Sequence, residues 1–213
     1  LQRLASQAAG IILRKGIRLE GDPYWDEWAL NVTGDGTTLN EYARNQLITA
    51  LLYGHSSTVV DYPNDGSSRT LAEERQLGAK PYLVPIHPRQ ILGWRTSNAS
   101  MCSDLTQVRI RERVYIPYGD YGEHRVEQIR VLTPGGYEVW HSQPLPTTTT
   151  PMGLLPPPVK WEKVSSGTTS LSRIPLATVY SNRLGNLISA PPLLEMAQLN
   201  IAYAQRFCDY YHA

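Results

Sequence analysis

The chain has 213 residues, 41% of them hydrophobic, enough to bury a sizeable core in one large domain or two small ones, which excludes a disordered chain. Its 20 Lys and Arg against 19 Asp and Glu leave a net charge of +1, so nothing pulls the whole molecule toward nucleic acid or acidic membranes, and any DNA contact must be local. The two cysteines, Cys102 and Cys208, are too far apart in sequence for a disulfide framework or a metal cluster, and no stretch approaches the ~18 apolar residues of a membrane span or forms the apolar core of a signal peptide. This reads as a soluble chain from a reducing compartment.

In chain order, Leu1 to Gly10 reads as the middle of a helix, followed by an extended apolar run Ile11-Ile12-Leu13-Arg14-Lys15-Gly16-Ile17 closed by glycine and charge. The far end also stops inside a helical pattern, at Tyr210-Tyr211-His212-Ala213, so a piece of a longer polypeptide is expected. Residues Asp22 to Trp28 form a short aromatic turn or helix. Thr38-Leu39-Asn40-Glu41 fits a capping box, in which the Thr hydroxyl and the Glu carboxylate satisfy the first free amides of a helix. That helix spans Leu39 to Tyr53, with Leu39, Ala43, Leu47, Ala50 and Leu51 at helical spacing and Gly54 as its C-terminal stop.

From Ser57 the period changes. Thr58-Val59-Val60-Asp61-Tyr62 is β-branched and reads as a buried strand ending at the turn-rich stretch Pro63 to Ser68. Tyr82–Ile86 and Ile91–Arg95 are further strands, the first pushed toward an edge or a break by Pro85 and Pro88. Gln107 to Ile116 alternates, with Val108, Ile110 and Val114 on one face and Arg109, Arg111, Arg113 and Tyr115 on the other; Val126 to Thr133 answers it. A turn at Pro134-Gly135-Gly136 returns the chain through Tyr137 to Trp140, so 107–140 reads as an antiparallel meander. The Pro- and Thr-rich segment 143–158 reads as a surface loop that builds neither ladder nor helix. A strand at Ala177–Tyr180 and a helix opening at Pro191-Pro192 follow, the helix with an apolar stripe Leu193, Ala197, Ile201, Ala204 and Cys208. The fold class is α+β, an antiparallel strand meander with flanking helices.

The candidate chemistry is sparse. Asn31-Val32-Thr33-Gly34-Asp35-Gly36 places oxygens at alternate positions as in a calcium loop, but the twelfth position is Tyr42, where a bidentate carboxylate is needed, so a turn leading into the helix cap is the better reading. The sequons at Asn31 and Asn98 carry no meaning without secretion. His55, His87, His124, His141 and His212 never pair at zinc-site spacing. A triad of His87, Asp61 and Ser56 cannot be judged from order alone, and no nucleophile elbow or phosphate-binding Lys-Ser/Thr loop is present. The expectation is therefore no enzyme, no cofactor and no metal.

Arg109, Arg111 and Arg113 are the most regular charged feature and suit either phosphates or a neighbouring subunit. The weightier alternative is a solvated face neutralised by Glu123 and Glu127 across the strands. Tyr24, Trp25 and Trp28 read first as core packing and second as a partner patch.

Taken together, the ordered segments Tyr24-Trp25-Asp26-Glu27-Trp28, Gly34 to Arg44, Leu51-Leu52-Tyr53-Gly54-His55 with Val59 to Pro63, Pro81 to Pro88 with Ile91 to Arg95, Ile174-Pro175-Leu176, Tyr180 to Arg183 and Ser189 to Leu194 resemble the portal proteins of tailed bacteriophages. The matches span about Gly10 to Tyr210. The resemblance implies that residues 1–213 are one domain similar to the portal wing, without stem or clip. It also implies a structural subunit of a homo-oligomeric ring, a dodecamer in this family, at the capsid vertex of the virion, assembled in the host cytoplasm. Its implied partners are further copies of itself, the major capsid protein, passing double-stranded DNA and, through parts beyond these residues, the terminase and tail adaptor, with no membrane. Another phage head or tail component is the alternative, and a hydrolase using His87 or His55 a more distant one.

Overall fold

The structure, a computed structural model, describes residues 1–63, 73, 79–98, 104–144 and 159–212. Cys102, most of the turn-rich stretch 63–68 and residues 145–158 of the Pro- and Thr-rich segment lie outside the described residues. In chain order the elements are α1 (Gln2–Ile12), α2 (Tyr24–Trp28), α3 (Leu39–Tyr53), β1 (His55–Asp61), β2 (Tyr82–Ile86), a 3-10 turn (Pro88–Gln90), β3 (Ile91–Thr96), β4 (Leu105–Tyr118), β5 (Gly122–Thr133), β6 (Gly136–Pro144), β7 (Val159–Thr168), β8 (Leu176–Tyr180), β9 (Arg183–Gly185), β10 (Ile188–Ser189) and α4 (Leu194–His212). Among the described residues, four helices and antiparallel ladders make this the α+β fold expected. The residues read above as one wing-like domain form two compact units, Leu1–Pro88 with Pro175–Ala213, and Arg89–Ile174.

The first unit is built around β1, the middle strand of the sheet β2-β1-β8. Pro85 does place β2 at an edge, where a missing N–H costs nothing. Helix α3 starts on the capping box read from the sequence: the Thr38 hydroxyl accepts from the Glu41 amide and the Glu41 carboxylate accepts from the Thr38 amide. It stops at Gly54, whose φ of +92° is a region that L side chains avoid. A Cβ there would also collide with the Ser189 hydroxyl.

The buried face of α3 is Tyr42, Gln46 and Ala50, more polar than the stripe the sequence offers. β1 explains this. Its α3-facing side chains are hydroxyls, so Tyr42 shares a 2.7 Å hydrogen bond with Thr58, and Ser56 donates to the Gln46 carbonyl. Burial without those partners would cost about 1–3 kcal/mol per group. Trp28, Val32 and Tyr42 form the core cluster, closed by Leu39 and Leu83, and the Trp28 indole donates to the Pro81 carbonyl at 2.7 Å. Helix α1 packs on α3 through Ala5 and Ala9. It includes Ile11 and Ile12, against the extended run expected there, because a helical Gly10 costs only about 1 kcal/mol.

The second unit is one five-stranded sheet in the order β3-β4-β5-β6-β7, the meander expected with a strand added at each side. Strand β7 escapes sequence reading because nearly every side chain is exposed, so it carries no apolar face to betray it. The ladder it makes pairs Gln143 with Lys160 and Pro144 with Val159, so residues 143 and 144 belong to a strand, contrary to the loop expected there. The Tyr137 ring lies over its cross-strand partner Gly167, filling the space a side chain would take.

Candidate interaction surface

Strands β4 and β5 outrun their neighbours. The last β3 pairing is Ile91 with Ile110 and the last β6 pairing is Gln128 with His141, whereas β4 and β5 stay paired out to Tyr118 and Gly122. Among the described residues, 113–127 therefore form a two-stranded ribbon to which no further strand is paired, six residue pairs and about 20 Å long. Alternation gives it two different faces. Directly opposed residues share a face, so Arg109, Arg111, Arg113 and Tyr115 stand with Val131, Ile129, Glu127 and Arg125.

The arginine face behaves partly as the sequence implied. Glu127 serves two cations, at 3.1 Å from Arg113 and 4.0 Å from Arg111, with side-chain exposures of 61% and 48% for the arginines. One carboxylate between two guanidiniums leaves a surplus of positive charge. Arg109 lies along Gly93, where a Cβ would meet its guanidinium at 2.6 Å. Arg125 and Tyr115 are exposed beside them. Exposed pairs of this kind contribute roughly 0–1 kcal/mol to stability, so the face is not there to hold the fold together.

The opposite face carries Val108, Ile110 and Leu132, all buried, and a polar chain that sequence reasoning missed. Glu112 takes the Nε–Nη2 edge of Arg130 with two contacts of 3.3 Å, accepts from Gln128, and the Gln128 carbonyl accepts from His141 Nε2 at 2.9 Å. Register alone brings these four together, and no local spacing announces it. Further out, the same face holds Val114, Ile116 and Val126, and the Tyr118 and His124 rings meet at a 45° tilt with centroids 4.3 Å apart.

The second unfinished surface is α4. Projected at 100° per residue, Leu199, Tyr210, Tyr203, Met196, Phe207, Tyr211, Ala204, Ala197, Cys208 and Ile201 occupy an arc of about 200°, interrupted by Asn200 alone. Its large apolar side chains are 43–81% exposed. The apolar stripe read from the sequence is present; Leu193 and Ala197 at its start are half-buried, and among the described residues Ile201, Ala204 and Cys208 are exposed.

Other sequence candidates find local duties. Asn31 caps its own loop, accepting from the Gly34 and Gly36 amides at 2.8 and 2.9 Å, and Asp35 accepts from the hydroxyls of Thr33 and Thr37, which hold its pKa low. Tyr42 is buried in the core, not at a cation. Ser56 is bound to Gln46; the histidine that holds a serine is His55, whose Nδ1 lies 2.9 Å from the Ser189 hydroxyl, across 134 residues of sequence. Burial pushes the His55 pKa down, and repulsion from His87 adds to it. Of the three aromatics read as core, only Trp28 is buried; Tyr24 and Trp25 are exposed.

No protein-family model matches the sequence, and no curated protein matches it.

Proposed function

We propose that this chain is a structural subunit of the portal ring of a tailed bacteriophage, a wing-like part of the channel through which DNA enters and leaves the capsid. The observation that carries the assembly half of this reading is α4. A helix apolar over about 200° of its circumference packs that face on something, and among the described residues most of it is exposed. Its seven large side chains at 43–81% exposure offer on the order of 800 Å², the share one partner gives to a stable interface. That arc carries no formal charge, so identical neighbours can approach it without repulsion. The portal half rests on the ordered motif set from Tyr24 to Leu194, which resembles that family across nearly the whole chain. A net charge of +1 fits a subunit whose neighbours are copies of itself and whose cargo must slide past.

Electron microscopy of the purified complete gene product tests the reading. Closed rings with an open channel are expected. A monodisperse monomer would contradict it, and open filaments or sheets would favour another head or tail component.

A further inference from the structure

The arginine face needs a counterpart, and its own sheet supplies only part of one. The unit Arg89–Ile174 carries ten Lys and Arg against seven Asp and Glu; the remaining residues carry ten against twelve. The chain is thus divided into a part at +3 and a part at −2, hidden inside a net charge of +1. The acidic excess is locally dense. Glu20, Asp22, Asp26 and Glu27 fall within eight residues, all exposed, around the exposed rings of Tyr24 and Trp25, which meet edge to face at 5.3 Å. Among the described residues Lys80 is the one cation at ion-pair distance, 3.9 Å from Glu27. The segment is held firmly, since Trp28 at its end is part of the core cluster.

We infer that the arginine face of the β4–β5 ribbon docks on the segment 20–27 of a second copy, a head-to-tail contact. This rests on the assembly reading above and names a surface for it. Arg111 and Arg113 share Glu127, and a carboxylate from a neighbour completes the second pair. Tyr115, directly opposite Arg125, meets a surface that presents Tyr24 and Trp25, and Tyr, Trp and Arg are the side chains that dominate protein interfaces. A two-fold contact centred on the arginine face would set like charge on like charge; an arginine face seated on the acidic segment of the next copy, and not returned by it, is a heterologous contact, which closes into a ring when the rotation allows. Nucleic acid is the poorer occupant, because Glu123 and Glu127 stand on the same face as the arginines and would lie against phosphates.

The test is a charge swap in the complete gene product, read by sedimentation at low and high salt. Arg111→Glu with Arg113→Glu is expected to weaken self-association about tenfold or more, as is Glu20→Lys with Asp22→Lys, and the four changes together to restore most of it. All positions are exposed, so unchanged melting temperatures confirm the folds, and Arg111→Gln with Arg113→Gln serves if the reversals disturb the ribbon. Self-association untouched by either set, or a combination no better than its weaker half, overturns the contact while leaving the assembly reading standing. A wild-type monomer overturns both. Duplex DNA binding lost in the arginine variants with association intact would make the face a nucleic-acid surface and overturn the proposal.

Discussion

Helices α3 and α4 lie in the same unit and are finished in opposite ways. α3 buries Tyr42 and Gln46, residues that dislike burial, because β1 supplies a hydroxyl for each. α4 exposes Leu199, Tyr203, Phe207 and Tyr210, residues that favour burial. Hydrophobicity alone would have exchanged the two. α3 is thus completed by its own chain through these hydrogen bonds, whereas among the described residues most of the apolar face of α4 stands uncovered. The β4–β5 ribbon repeats the contrast within the other unit: an inner portion locked by Glu112, Arg130, Gln128 and His141, and an outer portion with exposed arginines and aromatics.

If that contrast is right, substitutions around α3 should cost folding stability and substitutions on α4 should cost assembly. The largest effect belongs to the core beneath α3. Trp28→Ala removes the biggest buried side chain of the cluster and a hydrogen bond to Pro81, and chemical denaturation should register a loss of about 3–5 kcal/mol. Next comes Gln46→Ala, which strands the Ser56 hydroxyl in a buried setting; a loss of about 1–3 kcal/mol is expected, partly recovered when Ser56→Ala is added. A smaller effect is read through pH. The folded state holds the His55 pKa below its ordinary value of 6.5 by burial, so the unfolded chain takes up the proton first on acidification. Stability from this group is complete above about pH 6.5 and declines as pH falls toward the depressed folded value. The melting temperature of His55→Gln should accordingly depend less on pH across that window than the wild type. Smallest of all, Leu199→Ser with Tyr203→Ser should change the stability of the dissociated subunit by no more than about 0.5 kcal/mol while reducing assembly. A large stability loss there would mean that α4 is completed by its own chain after all.

What the sequence made legible is local. The capping box at Thr38 and Glu41, the stop at Gly54, the alternation of Val108 and Ile110 against the arginines and the edge position forced by Pro85 all depend on residues within a few positions of one another. What stayed hidden depends on register or distance. The Glu112–Arg130 pair needs the β4–β5 ladder, His55 needs Ser189 from the far end of the chain, and the cost of a side chain at Gly54 is set partly by that same serine. Tyr42 and Gln46, four apart on one helix face, were a readable sign of a polar helix–strand contact, but only once β1 is known to present Ser56 and Thr58. Strand β7 gave no sign because its stability comes from backbone pairing to β6. The arginine face was legible as a pattern, although its partial neutralisation by one shared glutamate was not.

A portal subunit sits at one vertex of the particle, and that position can be seen. Gold-labelled antibody against this chain, applied to tailless heads and imaged by electron microscopy, should mark a single vertex of each capsid. Label spread over all vertices, over the shell or along the tail would contradict it.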